Sequence, residues 1–149
     1  MKQKVGLMVA LMASALLLAA CGGKAAQAQP AAAVIDPAPV LSGAADAAWT
    51  LADLQALPVS EAEYTNKDGE TKAYSGVSFA DLFAAAGVGS YEGVSLVASD
   101  DYVAELDQAT LDACRDCIVA IGDDGSLRSV MPDMSSALQV RDLVEVIVN

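Results

Sequence analysis

The sequence predicts an α+β domain with mixed, mainly antiparallel sheets and short helices set between the strands. Three observations predict it. Short strand-like stretches of high apolar or alternating content recur from Glu61 to Val148. The turn-forming run Asn66-Lys67-Asp68-Gly69 joins the first two as a hairpin. Thr50-Leu-Ala-Asp53 and Ser78-Phe-Ala-Asp81 each open a short helical pattern with a capping-box-like signal. Hairpins mixed with short helices argue for α+β over a doubly wound parallel sheet.

In chain order, the first segment precedes the domain. Lys2 and Lys4 form a short basic start, and Val5 to Ala20 is apolar except for Gly6 and Ser14. The stretch ends in Ala19 and Ala20, so it reads as a secretory signal. It is short for a stop-transfer span, which needs about 20 apolar residues. Leu18-Ala19-Ala20-Cys21, followed by Gly22-Gly23, resembles the lipobox of bacterial lipoproteins. The alternative is an ordinary signal peptide with a chance cysteine. The lipobox resemblance implies that Cys21 receives a diacylglycerol on sulfur, that the chain is cut before it, and that the new amine is acylated. Residues 1–20 are then a lipoprotein signal peptide. Each buried methylene contributes about 0.8 kcal/mol, so two or three acyl chains hold a protein firmly where one does not. The expected location is the cell envelope, lipid-anchored on the outer side of the cytoplasmic membrane or to an outer membrane. Gly22 in place of the aspartate that favours inner-membrane retention in related lipoproteins leans toward the latter. Cleavage takes 20 residues and two lysines from a chain of 149, leaving 129 residues and moving the formal charge from −12 to −14.

Residues 21–39 are rich in Ala, Gln and Pro and have almost nothing to bury. They predict a lipidated, disordered spacer that holds the domain off the membrane. The globular domain is expected from 40 to 149. Its first helix starts at Thr50, carries Leu51, Leu54 and Leu57 on one face, and stops at Pro58. Hairpin arms follow at 61–65 and 70–75. The second helix carries the stripe Phe79, Leu82, Phe83 and Ala86, with Gly87 as its C-terminal stop. A buried strand is expected over 93–99, an alternating strand over 102–106, and a helical turn or two over 107–113. Ile118 to Ile121 is a fully apolar strand, Asp123-Asp124-Gly125 a turn, and 127–131 and 143–148 complete the sheet. Trp49 and Tyr74 flank apolar segments and are expected to pack on the core, whereas Tyr102 follows two aspartates at a strand boundary.

Charge and side-chain inventory narrow the chemistry. A strongly acidic surface repels nucleic acid and anionic lipid headgroups, so nucleic acid is excluded as a partner. The sequence contains no histidine, which removes the commonest general base and metal ligand along with Ser-His and Cys-His pairs. Asp100-Asp101 and Asp123-Asp124 lack the spacing of a calcium loop, and no metal site is expected. Cys114 and Cys117 remain in an oxidising compartment and predict a local disulfide. Closing so short a ring contributes roughly 2 kcal/mol. A redox-active Cys-x-x-Cys usually opens a helix, where the dipole lowers the thiol pKa. This pair follows a helical segment, whose C-terminus has the opposite effect, so thiol–disulfide exchange is the lesser reading.

The order of segments resembles the molybdopterin-binding domain of the sulfite oxidase family across residues 40–149. Trp49-Thr-Leu-Ala-Asp-Leu, the hairpin, Tyr74-Ser-Gly-Val-Ser-Phe-Ala-Asp-Leu-Phe and Ala86-Gly87-Val88 carry the first part of the resemblance. Ser99-Asp100-Asp101-Tyr102, where the family has Asp-Gly-Tyr, carries more of it, as do Ile118 to Ile121, Leu127-Arg128-Ser-Val-Met-Pro132 and Leu143 to Val148. The resemblance implies that family's fold and makes Asp101, Tyr102 and Arg128 candidate cofactor-binding residues. It also exposes departures. The family's molybdenum is held by a cysteine thiolate from a region that here reads Tyr64-Thr-Asn-Lys-Asp-Gly-Glu-Thr71, and the family's other histidine and arginine contacts are largely missing. The expectation is therefore a short relative, with no catalytic residues and no bound molybdopterin, that serves as a ligand-binding or accessory lipoprotein. Its partners would be the membrane, through the anchor, and an envelope protein or small ligand. The alternative is a redox subunit that binds a pterin or other anionic cofactor.

Overall fold

Local side-chain chemistry sets most of the elements in the computed structural model, which describes residues 39–149. The expected signal peptide, Cys21 and the expected spacer up to residue 38 lie outside the described residues. Helix α1, Leu51–Gln55, starts where Thr50 and Asp53 cap each other. Thr50 Oγ1 accepts from the Asp53 N–H at 3.2 Å, and Asp53 Oδ2 accepts from the Thr50 N–H at 2.8 Å. The bonds from Thr50 hold the Asp53 carboxyl below its usual range. Helix α2, Phe79–Ala86, starts with one half of that arrangement, Ser78 Oγ accepting from the Asp81 N–H at 3.0 Å. It ends at Gly87, whose φ of 74° is left-handed and suits a residue without a Cβ. Helix α3, Gln108–Ala113, is capped by Asp107, which accepts from the Thr110 N–H at 2.7 Å.

Among the described residues, nine strands form two sheets. Strands β1 (Leu41–Gly43), β2 (Ala47–Trp49), β5 (Gly93–Ala98), β6 (Val103–Asp107) and β9 (Leu143–Val148) make a five-stranded sheet in the order β2-β1-β9-β5-β6. Strands β3 (Val59–Thr65), β4 (Thr71–Ser78), β7 (Ile118–Ile121) and β8 (Leu127–Val130) make a four-stranded sheet in the order β3-β4-β7-β8. All pairings are antiparallel except β1 with β9, where Ser42 faces Glu145 and Gly43 faces Val146. The expected mixed, mainly antiparallel α+β architecture is therefore present.

The hairpin arms run longer than the sequence predicts, pairing from Val59↔Val77 to Thr65↔Thr71. Asn66 organises the turn between them. Its Oδ1 accepts from the N–H groups of Asp68 and Glu70, both at 2.9 Å, and Gly69 takes a φ of 81°. Strands β1 and β2 carry no strand signal in the sequence. They are three residues each; β1 is held by pairing to β9 and β2 by pairing to β1, rather than by any apolar pattern of their own.

The main core lies between the sheets and helices and includes Leu54, Val77, Leu82, Leu96, Met131, Leu143 and Val146. Trp49 packs against it, as expected from sequence. The opposite face of the four-stranded sheet holds a second, smaller cluster of Ala62, Ile118, Ala120 and Val130, with Tyr64 and Tyr74 against it. Ser129 is fully buried and ties β8 to the chain that leads into β9. Its hydroxyl donates to the Leu138 carbonyl and accepts from the Val140 N–H at 2.8 Å. The Gln139 amide bonds both backbone groups of Met131.

Candidate functional site

Residues 98–102 form the tight turn from β5 to β6. The Asp101 N–H bonds the Ala98 carbonyl at 3.1 Å, and the Ala98 N–H bonds the Tyr102 carbonyl at 2.9 Å. Asp101 adopts a φ of 66°, a left-handed conformation that Asp tolerates better than most residues and Gly better still. Its side chain is exposed, and its place in the fold is that of a turn residue. Tyr102 is half-exposed, and its hydroxyl donates to the Ala137 carbonyl at 3.0 Å. It lines a shallow groove of about 290 Å³ with Ser136, Gln139 and Arg141.

Arg128 lines a different cleft, created by a splay in the four-stranded sheet. Strand β4 pairs with β3 along Thr71 to Val77 but with β7 only from Gly76 to Ser78. The β7–β8 hairpin keeps pairing to Ile121↔Leu127. Beyond Gly76 the strands therefore part. The gap of about 650 Å³ is lined by Lys72 and Tyr74 on one side and by Asp123, Asp124, Ser126 and Arg128 on the other. Gly76 sits at the fork because a Cβ there would lie 2.1 Å from the Val119 carbonyl oxygen.

Within the cleft the Arg128 guanidinium carbon lies 4.8 Å from the Tyr74 ring centre and the Lys72 Nζ 5.1 Å from it, both within cation–π range. Arg128 Nη1 donates to the Tyr74 hydroxyl oxygen at 3.2 Å. Its Nε is buried and has no hydrogen-bond partner among the described residues. Asp124 is committed to its own turn: Oδ1 accepts from the Ser126 hydroxyl at 2.6 Å and the Ser126 N–H at 3.0 Å, which holds the carboxyl below its usual range. The cleft thus offers two cations and a phenol as donors toward an oxyanion, with Asp123 as its uncommitted carboxylate.

Of the three candidate cofactor-binding residues, the structure leaves Asp101 and Tyr102 at one turn and seats Arg128 with Lys72 and Tyr74. Nothing in the sequence alone groups Lys72 and Tyr74 with Arg128. Their alternation on one hairpin arm puts them on a common sheet face, but only the register Gly76↔Ala120 and Ala120↔Arg128 brings that face to Arg128.

Cys114 and Cys117 are bonded to each other, with Cα atoms 5.5 Å apart, inside the usual 4.4–6.8 Å span. Cys114 is the C-terminal cap of α3, and Cys117 is buried immediately before β7. The pair borders a groove of about 500 Å³ with Phe79, Phe83 and Tyr91. The Tyr91 hydroxyl donates to Asp112 at 2.6 Å, and burial, reinforced by that carboxylate, pushes its pKa up to about 12. The denatured, unreduced domain should accordingly titrate as thiol-free, and two free thiols per chain would contradict the pairing.

The donors present do not fit a thiolate-held molybdenum. The region that would supply the thiolate runs from Ala62 through Lys67 without a cysteine, and Asn66 is spent on the turn. The domain's two cysteine sulfurs are bonded to each other. Among the described residues, no three His, Cys, Asp or Glu side chains come together as a metal site. No protein-family model matches the chain, and no curated protein matches it.

Proposed function

We propose that this chain is a lipid-anchored protein of the bacterial cell envelope whose molybdopterin-binding-oxidoreductase-like domain has a non-catalytic, accessory role in binding a ligand or partner. Cys21 behind the apolar signal supports the anchor, and the Ala/Pro/Gln segment supports a tether. The observation that carries the accessory role is the side-chain inventory of the folded domain. Its two cysteines are bonded to each other and the sequence has no histidine, while binding groups remain in the Arg128 cleft. Soft-metal redox chemistry needs a thiolate that this chain does not free, since ligand softness decides which metal a site keeps.

Protein produced with molybdate in a host competent for the cofactor should fold, be colourless and contain no molybdenum by elemental analysis. Near-stoichiometric molybdenum would overturn the accessory reading. A second reading, a redox subunit that binds a pterin or another anionic cofactor, draws support from the buried, unpartnered Nε of Arg128. Leaving such a donor unpaired costs about 1–3 kcal/mol, which an oxyanion beside it would recover. Under that reading the protein from its native host carries a mass increment beyond the lipid and absorbs in the visible. An unladen, colourless protein would exclude it.

A further inference from the structure

Strand β3 forms the open end of the four-stranded sheet over seven residues, and among the described residues no strand pairs with its outer side. Which backbone groups face that side follows from the turn. The Asn66 N–H bonds the Glu70 carbonyl at 2.9 Å, so antiparallel alternation directs the backbone groups of Tyr64, Ala62 and Ser60 to β4. The N–H and C=O groups of Glu61 and Glu63 then point outward, and the same two residues carry exposed carboxylates. A groove of about 910 Å³ runs beside this edge. Asp116 and Asp133 add two further acids to its walls, Lys67 is its single cation, and Tyr64 and Met134 supply apolar surface.

We propose that the β3 edge is a docking site for an extended, Lys/Arg-bearing segment of a partner protein, added as a fifth strand. Strand addition uses the outward backbone groups for affinity and alternate side chains for specificity. Residues two apart on a strand share a face, so basic residues at alternate positions of the incoming segment meet Glu61 and Glu63 together. A second copy of this chain is the wrong occupant. Antiparallel self-pairing centred on Ala62 sets Glu61 against Glu63, and in-register parallel pairing sets each glutamate against itself; like charges directly opposed are destabilising. Carboxylates that block self-association at an exposed edge in this way still admit a strand of opposite charge. The acidic domain as a whole, at a formal −14 after signal removal, favours encounter with such a segment.

The proposal deepens the accessory reading by naming the partner's chemistry, and it has its own test. The mature full-length chain in detergent is mixed with a heptapeptide of alternating Lys and Val, and backbone hydrogen exchange is followed residue by residue. The Glu61 and Glu63 amides should exchange at least about 10-fold more slowly in the complex. Glu61→Gln with Glu63→Gln should weaken binding by about 10-fold or more, and added salt should do the same. Glu63→Pro removes one outward N–H and no hairpin bond, so it should weaken binding with the hairpin intact. A peptide of alternating Lys and Pro has the same charge but cannot add as a strand, and it should leave the β3 amides unprotected. Equal binding by the two peptides, protection elsewhere than β3, or no binding of the Lys/Val peptide would overturn the proposal. Arg128→Ala should leave the peptide affinity unchanged, and molybdenum content tests the accessory reading separately.

Discussion

A Cys21→Ser variant is expected to accumulate as the uncleaved precursor, to incorporate no fatty acid, and to lose the detergent-dependent extraction of the parent protein. The expectation rests on one atom. In the lipoprotein pathway the cysteine sulfur is the nucleophile that accepts the diacylglycerol, and the cut before it depends on that modification. A serine hydroxyl is a far weaker nucleophile near neutral pH, where even a free cysteine is a few per cent thiolate. The effect on location is close to all-or-none. An acyl anchor of two or three chains adds about 0.8 kcal/mol for every buried methylene, and a single chain already gives marginal binding. Metabolic labelling with a radioactive fatty acid, together with precursor size on a gel, reads both steps. A variant that is processed and labelled like the parent would refute the lipobox reading and return residues 1–20 to an ordinary secretory signal.

The largest effect on stability should come from Gly43→Ala. Gly43 ends β1 at a φ of 109°, which L side chains rarely adopt. A Cβ there would lie 2.0 Å from the Val146 carbonyl oxygen, in the β9 strand that β1 pairs with. Both partners are backbone, and Val146 is fully buried at the centre of the sheet, so neither side can give way cheaply. Backbone strain contributes about 1–3 kcal/mol and forced overpacking a similar amount. A total loss of about 3–5 kcal/mol is a large part of the roughly 5–15 kcal/mol that a domain of this size has. Urea unfolding of the variant should show a much lower midpoint. Gly69→Ala is the matched control, since Gly69 has a φ of 81° and open space where its Cβ would go. It should lose only about 1–2 kcal/mol. Equal losses in the two variants would mean that β1 does not press on β9 as described.

Helices α1, α2 and α3 show where sequence reading works. Each starts at a side chain that caps the backbone within three residues, at Thr50, Ser78 and Asp107, and that chemistry is complete in a few consecutive letters. The Asn66 turn and the strand β7 are legible for the same reason: turn geometry is local, and a run such as Ile118 to Ile121 has no partner but a core. The Cys114–Cys117 bridge spans three residues and needs nothing distant. Strands β1 and β2 fail the same test. Leu41–Gly43 and Ala47–Trp49 have no periodicity long enough to read: β1 pairs with β9, about a hundred residues later, and β2 pairs in turn with β1.

The sequence by itself determined the fold class, the helix caps, the hairpin, the close cysteine pair and the absence of histidine, because each is a property of residue types or of neighbours in the chain. Tertiary structure alone decided that the strands divide into two sheets and that β1 runs parallel to β9. It also decided that Arg128 meets Lys72 and Tyr74 while Asp101 and Tyr102 stay at their own turn. Those outcomes depend on register between distant strands. A shift of one residue would turn Tyr74 or Arg128 to the other face of the sheet, and the burial of Ala62, Ile118, Ala120 and Val130 on one face and of Val77, Val119 and Leu127 on the other opposes it.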